Sequence, residues 1–351
     1  MPSLYVTEQG ATVRLSGSSL IVTLDVDPDG DGPLPATRSI LLEVEPHRLE
    51  MIGLVGRVHM TANALHLCLE RGIGVAWFAW NGRFLGRMVP AEAKSGDLRL
   101  AQYRTAIDPV AALGLARQVI TGKCANAIAV LRGIQANYPG QEPVAAAIRD
   151  IQTAVERVGV CQDAESLLGS EGHAARAYFG AFGTGFRGDI GFTGRQRRPP
   201  PDPANALLSF GYVLLGNLIG GTVEARGMDP AVGFFHALRP GRPSLALDLL
   251  EEFRHPVVDR FVLRVVNLRI LRPDMFEADT ESQGGVRLTR VGLKVFFRAW
   301  GEHLERPMPE AAGEDGGDAN KLAPATLIRR QVDRLAAALR GGIPYAPFAL
   351  K

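Results

Sequence analysis

The stretch GVAWFAWNGRFLGRMVPAEAKSGDLRLAQYRTA, residues 74–106, is where the chain changes texture. Its first half holds two short β-type runs, GVAWFAW and RFLGRMV, separated by a turn signal. Beyond Pro90 it passes into Ala-, Leu- and Arg-rich sequence with helical spacing. Upstream, the short-run pattern continues back to Leu4 through LYVTE, TVRLSG, SLIVTLD, SILLEV and MIGLVG. One helix is expected inside it, because Ala62, Leu65 and Leu69 recur at helical spacing between Thr61 and Arg71. Downstream, long amphipathic segments lie around 101–119, 122–137, 142–158, 163–182, 204–224, 244–272, 287–305 and 322–340. The expectation is an α+β protein, with a small N-terminal β-rich domain over 1–90 and a larger, mainly α-helical C-terminal domain over 91–351.

Two polar tracts interrupt this pattern. Asp25 to Gly32, DVDPDGDG, carries four aspartates like a calcium loop but lacks the downstream bidentate Glu, so its Pro and Gly read as a hairpin turn. Pro307 to Asn320 is acidic and rich in Gly and Pro, and reads as a mobile loop before the last helix. Among 351 residues 46% are hydrophobic and 22% charged, which excludes a disordered chain. With 39 Lys+Arg against 37 Asp+Glu there is no global basic field, and any nucleic-acid contact must come from local clusters. The three cysteines, Cys68, Cys124 and Cys161, fit neither a disulfide framework nor a zinc site, and point to a reducing cytoplasm. MPSLYVTEQG shows no secretory signal, and Ala206–Ile219 is too short to span a bilayer and reads as a buried core helix.

Three segments could carry chemistry. In LLGSEGHAARAYF, Glu171 sits on a helix begun near Asp163, among Gly169, Gly172, Ala174 and Ala175; small neighbours let backbones approach, so this Glu is either a solvated helix charge or a ligand delivered into a cleft. In FFHALRPGRPSLALDLLEEFRHPVVDR, Ser244 is a candidate N-cap, and Asp248 and Glu251, three apart, lie on neighbouring parts of one helical face. His236 could approach them from the preceding loop. A His with carboxylates suits Mg²⁺ or Mn²⁺ better than zinc, although the acidic pair alone could equally be a solvated face and the His a core histidine. In FRGDIGFTGRQRRPPPDPANALLSF, Arg187, Arg195, Arg197 and Arg198 are opposed between 187 and 198 only by Asp189, and their forked donors suit phosphate oxygens. Arg239, Arg242 and Arg254 cluster near the candidate metal residues.

These motifs, in the order LLGSEGHAARAYF, FTGRQRRPPPDPANALLSFGYVLL and GFFHALRPGRPSLALDLLEEFR, resemble the CRISPR-associated adaptation integrase and endonuclease family, Cas-one. The resemblance extends to VGRVHMTANALHLCLERGIGVAWFAWNGRFLGRM, IRRQVDRLAAAL and YAPF, and so spans nearly the whole chain. His255 stands where the family commonly has Pro, with Pro256 following, and the Gly/Asp-rich segments at 25–32 and 311–318 look like loop elaborations. The resemblance implies a divalent-metal site, Mg²⁺ or Mn²⁺, formed by Glu171, His236 and Glu251, with Asp248 as a further ligand or a group behind the ligands. It implies a homodimer that joins the small Cas-two protein, holds a short DNA fragment and inserts it into a CRISPR array by attack of a 3′ hydroxyl on a phosphodiester. The arginines at 187–198 and 239–254 are then expected to orient DNA backbone. Two other readings stay open: a general metal-dependent nuclease, and a non-catalytic DNA-binding scaffold.

Overall fold

Alternating apolar residues between Leu4 and Met88 build two sheets. The strands are β1 (Ser3–Val6), β2 (Thr12–Ser16), β3 (Ser19–Val26), β4 (Thr37–Val44), β5 (Met51–Val55), β6 (His59–Met60), β7 (Gly74–Phe78) and β8 (Phe84–Met88), with helix α1 (Ala62–Arg71) between β6 and β7. One sheet has the order β1-β5-β7-β8 and the other β4-β3-β2-β6. In the first, β1, β5 and β7 run parallel and β8 closes the edge antiparallel. Register places Leu4 beside Ile52 and Ile52 beside Val75, so one row of buried apolar residues crosses the sheet. Thr61 caps α1 by accepting the Ala64 N–H, and Gly72 ends it in the left-handed region at φ 73°, where a side chain would be strained.

The computed structural model describes residues 3–26, 37–88, 95–188, 190–280, 284–310 and 321–351. Most of the Asp25–Gly32 tract, Asp189 and the segment 311–318 therefore lie outside the described residues. The strands that flank the first tract, β3 and β4, pair antiparallel.

Beyond the strands come α2 (Gly96–Ile107), α3 (Pro109–Asn137), α4 (Glu142–Val160), α5 (Ala164–Phe182), α6 (Pro203–Ala225), α7 (Ser244–Phe253) and α8 (Arg260–Asn267). A π-helical turn, Arg254–Asp259, joins α7 to α8. Then follow the short pair β9 (Phe276–Asp279) and β10 (Gly285–Leu288), α9 (Arg290–Glu305), the pair β11 (Met308–Pro309) and β12 (Lys321–Leu322), and α10 (Pro324–Leu339). The expected helix over 101–119 is instead broken at Asp108: Pro109 cannot donate to the preceding turn, and the Asp108 carboxylate caps the N–H groups of Val110 and Ala111. Asp163 caps α5 and Asp202 caps α6 in the same way. Helix α6 is long and apolar enough to cross a membrane by composition, but half of its most apolar window is buried inside the protein. Part of the expected loop at 307–320 is ordered as β11.

The chain divides into two units, Met1–Glu92 with Leu288–Glu305, and Ala93–Arg287 with Arg306–Lys351. The sequence boundary at 90 put α9 with the helical half, whereas its residues pack in the first unit. The Phe297 ring lies 4.8 Å from that of Tyr5 and 6.1 Å from that of Phe78, and Lys294 pairs with Glu8 at 2.5 Å. That aromatic contact could not be read from helix periodicity alone.

Candidate active site

The candidate site is built wholly within the second unit, on helices rather than on a sheet edge. Helix α7 is buried nearly all round, with Leu245, Leu249, Leu250 and Phe253 on its apolar side and Asp248, Glu251 and Glu252 buried as well. A buried carboxylate is costly unless it is paired or protonated, so each of the three must be accounted for.

Asp248 is saturated. Its Oδ2 accepts the backbone N–H groups of Phe234 (2.6 Å) and Phe235 (3.1 Å), and its Oδ1 accepts that of His236 (2.9 Å) and faces His236 Nδ1 (2.8 Å). The carboxylate thus winds the 233–236 loop around itself. Gly233 is required there, because a Cβ would lie 2.5 Å from Asp248 Oδ2 and 2.8 Å from the backbone of Ser244. Ser244 does not cap α7; it is the first helical residue, and its hydroxyl donates to Ala237 O at 3.1 Å, fastening the loop from the other side. With Nδ1 turned to Asp248, His236 has Nε2 left for a ligand.

Glu251 meets two cations. Its Oε2 lies 2.6 Å from Lys123 Nζ and 3.2 Å from Arg254, yet takes no aligned hydrogen bond. Burial alone would raise its pKa, but the charges of Arg254 and Lys123, with a contribution from His236, hold it at about 2. Lys123, on α3 and only 3% exposed, also pairs with Glu171 on α5. Glu171 and Glu251 therefore come to one ammonium from two helices, with His236 near enough to influence Glu251. Among the described residues no group of three or more His, Cys, Asp or Glu is placed to hold a metal together; Lys123 stands between the two carboxylates. Two carboxylates, one of them with a buried oxygen that takes no aligned hydrogen bond, and an imidazole Nε2 nonetheless fit Mg²⁺ or Mn²⁺ in donor type.

Glu252 differs from its neighbour. It accepts from the Tyr345 hydroxyl and from the Phe348 N–H at 2.8 Å, and burial pushes its carboxyl up to about 8. Asn126 of α3 donates to the carbonyls of Glu252 and Phe348 and accepts from Leu350 N–H. The last residues of the chain are thereby tied to the helix that carries Glu251.

Behind Arg254 lies a second buried network. Asp259 accepts from Tyr178 (2.9 Å) and Tyr212 (2.5 Å) and faces His255 Nδ1 at 2.6 Å. The Tyr212 ring in turn carries Arg254 over its face at 4.6 Å and Arg195 at 5.5 Å. His255, which departs from the family pattern, is buried here, and desolvation lowers its pKa against the pull of Asp259.

The sequence-predicted arginines separate into two groups. Arg254 is buried against Glu251, and Arg195 is committed to the Gln196 carbonyl, Asn205 and Ser209. Both still border a cavity of about 430 Å³ between α5 and the 194–197 loop, together with Arg197 and Arg176. Arg198 and Arg239 are exposed, Arg242 is half-buried, and Arg187 lies over the Tyr138 ring. Sequence reasoning missed Lys123, Arg176, Tyr212, Glu252 and Asp259. Lys123 had a signal, being the one charge between Arg117 and Arg132 in an otherwise uncharged run.

Residues 4–302 match the family model described as CRISPR associated protein Cas1. The chain belongs to the Cas1 family. It is 36% identical to the CRISPR-associated endonuclease Cas1 2 of Rhodospirillum rubrum, over 98% of this chain and 97% of that one. A casposase bound to its integration product has the same fold, with a TM-score of 0.80 at 22% identity, covering 99% of this chain and 93% of that one. A chain of a Cas6-RT-Cas1–Cas2 complex gives a TM-score of 0.70 at 22% identity over 97% of this chain and 35% of its own length.

Proposed function

We propose that this Cas1 protein is a metal-dependent DNA endonuclease and integrase of CRISPR adaptation, which joins the 3′ hydroxyl of an incoming DNA to a phosphodiester of the array. The observation that carries this reading is the convergence of Glu171 and Glu251, from α5 and α7, on one buried cation beside His236. Glu171, Glu251 and Nε2 of His236 are the groups that hold Mg²⁺ or Mn²⁺. Such an ion supplies neutralisation of phosphate charge and stabilisation of the attacking or leaving oxygen.

The protein's own side chains do the positioning. Asp248 serves behind the ligands: it fixes the His236 tautomer and the loop that presents it. Lys123 keeps two like charges together before substrate arrives. Arg176, Arg195, Arg197 and Arg254 around the 430 Å³ cavity receive backbone phosphates, with Arg187, Arg198, Arg239 and Arg242 making outer contacts. Such contacts carry little base readout and a marked salt dependence. The casposase and the Cas1–Cas2 assembly that share the fold support DNA and a Cas2-type protein as partners of a homodimer. The three buried, unpaired cysteines support a reducing cytoplasm.

The test is strand transfer into a supercoiled array plasmid, with and without the Cas2-type partner, in Mg²⁺, Mn²⁺ or chelator. Glu171→Ala and Glu251→Ala should lose joined product while keeping helical content and DNA binding; normal transfer by either overturns the ligand assignment. Efficient cutting of unrelated DNA without joining would make the protein a general nuclease. DNA binding with neither reaction in any metal would make it a scaffold.

A further inference from the structure

A second basic feature lies away from the carboxylate cluster. The C-terminal half of α3, helix α8, and the chain at 306–309 and 350–351 enclose a cleft of about 490 Å³. Arg260, Arg264, Arg306 and Lys351 line it, and no Asp or Glu does. It shares no lining residue with the 430 Å³ cavity. Gly133 on its wall is ten residues along α3 from Lys123, about 15 Å at ~1.5 Å per residue.

The arginines here are treated unlike others nearby. Arg330 and Arg334 are paired with Glu310 at 2.9 and 2.8 Å, and Arg226 with Asp333 at 2.6 Å. Glu310, next to Pro309 of the cleft wall, is thus already committed. Among the described residues no carboxylate pairs with Arg260, Arg264 or Arg306. Arg260 is partly buried, and desolvation followed by the charge of Arg306 lowers its pKa. Gathering unpaired guanidinium groups in a concave, half-desolvated site opposes folding, and a bound anion is what relieves it. Guanidinium forks match phosphate oxygens in pairs.

We propose that this cleft is a phosphoryl-binding site distinct from the candidate active centre. It takes either the backbone of a nucleic acid or a free polyphosphate, which present the same chemistry to the arginines. The site does not depend on the metal-ligand assignment, since none of Glu171, His236 or Glu251 contributes to it.

The test uses the full chain with Arg264→Gln and Arg306→Gln, singly and together; Gln keeps much of the stem and removes the charge. Two probes are used: a fluorescein-labelled DNA duplex followed by anisotropy from 50 to 200 mM NaCl, and inorganic tripolyphosphate followed by thermal unfolding. If DNA is the ligand, the double variant's log–log salt slope becomes shallower by about 1.8, at ~0.9 for each phosphate no longer neutralised. If free polyphosphate is the ligand, tripolyphosphate raises the Tm of the wild type and not that of the double variant, and the salt slope is unchanged. A double variant that keeps both the wild-type slope and the wild-type tripolyphosphate shift overturns the proposal. Should Arg264→Gln fail to fold, the exposed Arg306→Gln alone decides, with half the slope change. Without any anion its Tm should hold or rise, because a like charge beside Arg260 is gone; a fall would assign Arg306 a structural role and overturn the proposal.

Discussion

Replacing Lys123 with Met removes the ammonium that Glu171 and Glu251 share while leaving an unbranched chain of similar length in the same 3%-exposed slot. Two carboxylates then face each other with Arg254 as the remaining near cation. Deleting one partner of a buried ion pair costs about 3–5 kcal/mol, a large share of the ~5–15 kcal/mol that holds a typical domain folded. Mn²⁺ should restore much of it, since a divalent ion at a hundred times its Kd adds about 2.7 kcal/mol. In the wild type the gain should be smaller, because the ion must compete with the ammonium. The assay is urea unfolding in chelator and in MnCl₂, followed by far-ultraviolet circular dichroism. Tryptophan fluorescence would mislead: Trp77, Trp80 and Trp300 all lie in the first unit, whereas the perturbation is in the second. A variant with the wild-type midpoint in chelator, or with no larger Mn²⁺ response than the wild type, would refute the assignment of Lys123 as the charge that balances the pair.

Three further outcomes follow from neighbouring geometry. Asp248→Asn replaces an acceptor oxygen by a donor amide facing N–H groups, and should weaken Mn²⁺ affinity by roughly 10–100-fold, measured by calorimetry; unchanged affinity would detach Asp248 from the function of His236. Gly233→Ala pushes a methyl into Asp248 and the start of α7, so strand transfer should fall at least about tenfold with helical content retained, whereas wild-type transfer would show that the loop can yield. Glu252 has a carboxyl raised from 4.5 to about 8, so the stability it contributes is complete below pH 4.5 and is lost as pH rises through about 8. The full span corresponds to about 5 kcal/mol, and Glu252→Gln should flatten the decline in stability between pH 5 and 8; parallel curves for the two proteins would contradict it.

The change from strands to helices past Pro90 was legible because side-chain periods of two and 3.6 differ over a few turns of chain. Helices α4, α5 and α6 fall within two residues of their expected limits for the same reason. The break at Asp108–Pro109 was available in the sequence but outweighed by the apolar spacing around it. What could not be read was side-chain partnership across elements. Phe297 fills a gap between Tyr5 and Phe78, and nothing in the period of α9 names that destination. At the site, Glu171, His236, Asp248 and Glu251 were visible as residue types in motifs, and Arg254 was grouped with Arg239 and Arg242 as arginines near the candidate metal residues, expected to orient DNA backbone. Arg254 lies three residues from Glu251, so helical spacing alone sets the two side by side; its contact with Tyr212 of α6 is a partnership across elements, and spacing does not name it.

Glu251 and Glu252 are consecutive, yet one is kept ionised by two cations and the other is pushed toward its neutral form while it moors the chain at Tyr345 and Phe348. Inactivation at the first position would report a missing donor, and inactivation at the second a slackened tether. A screen scored only by failure to form product would record the two alike and overcount the ion's protein donors by one.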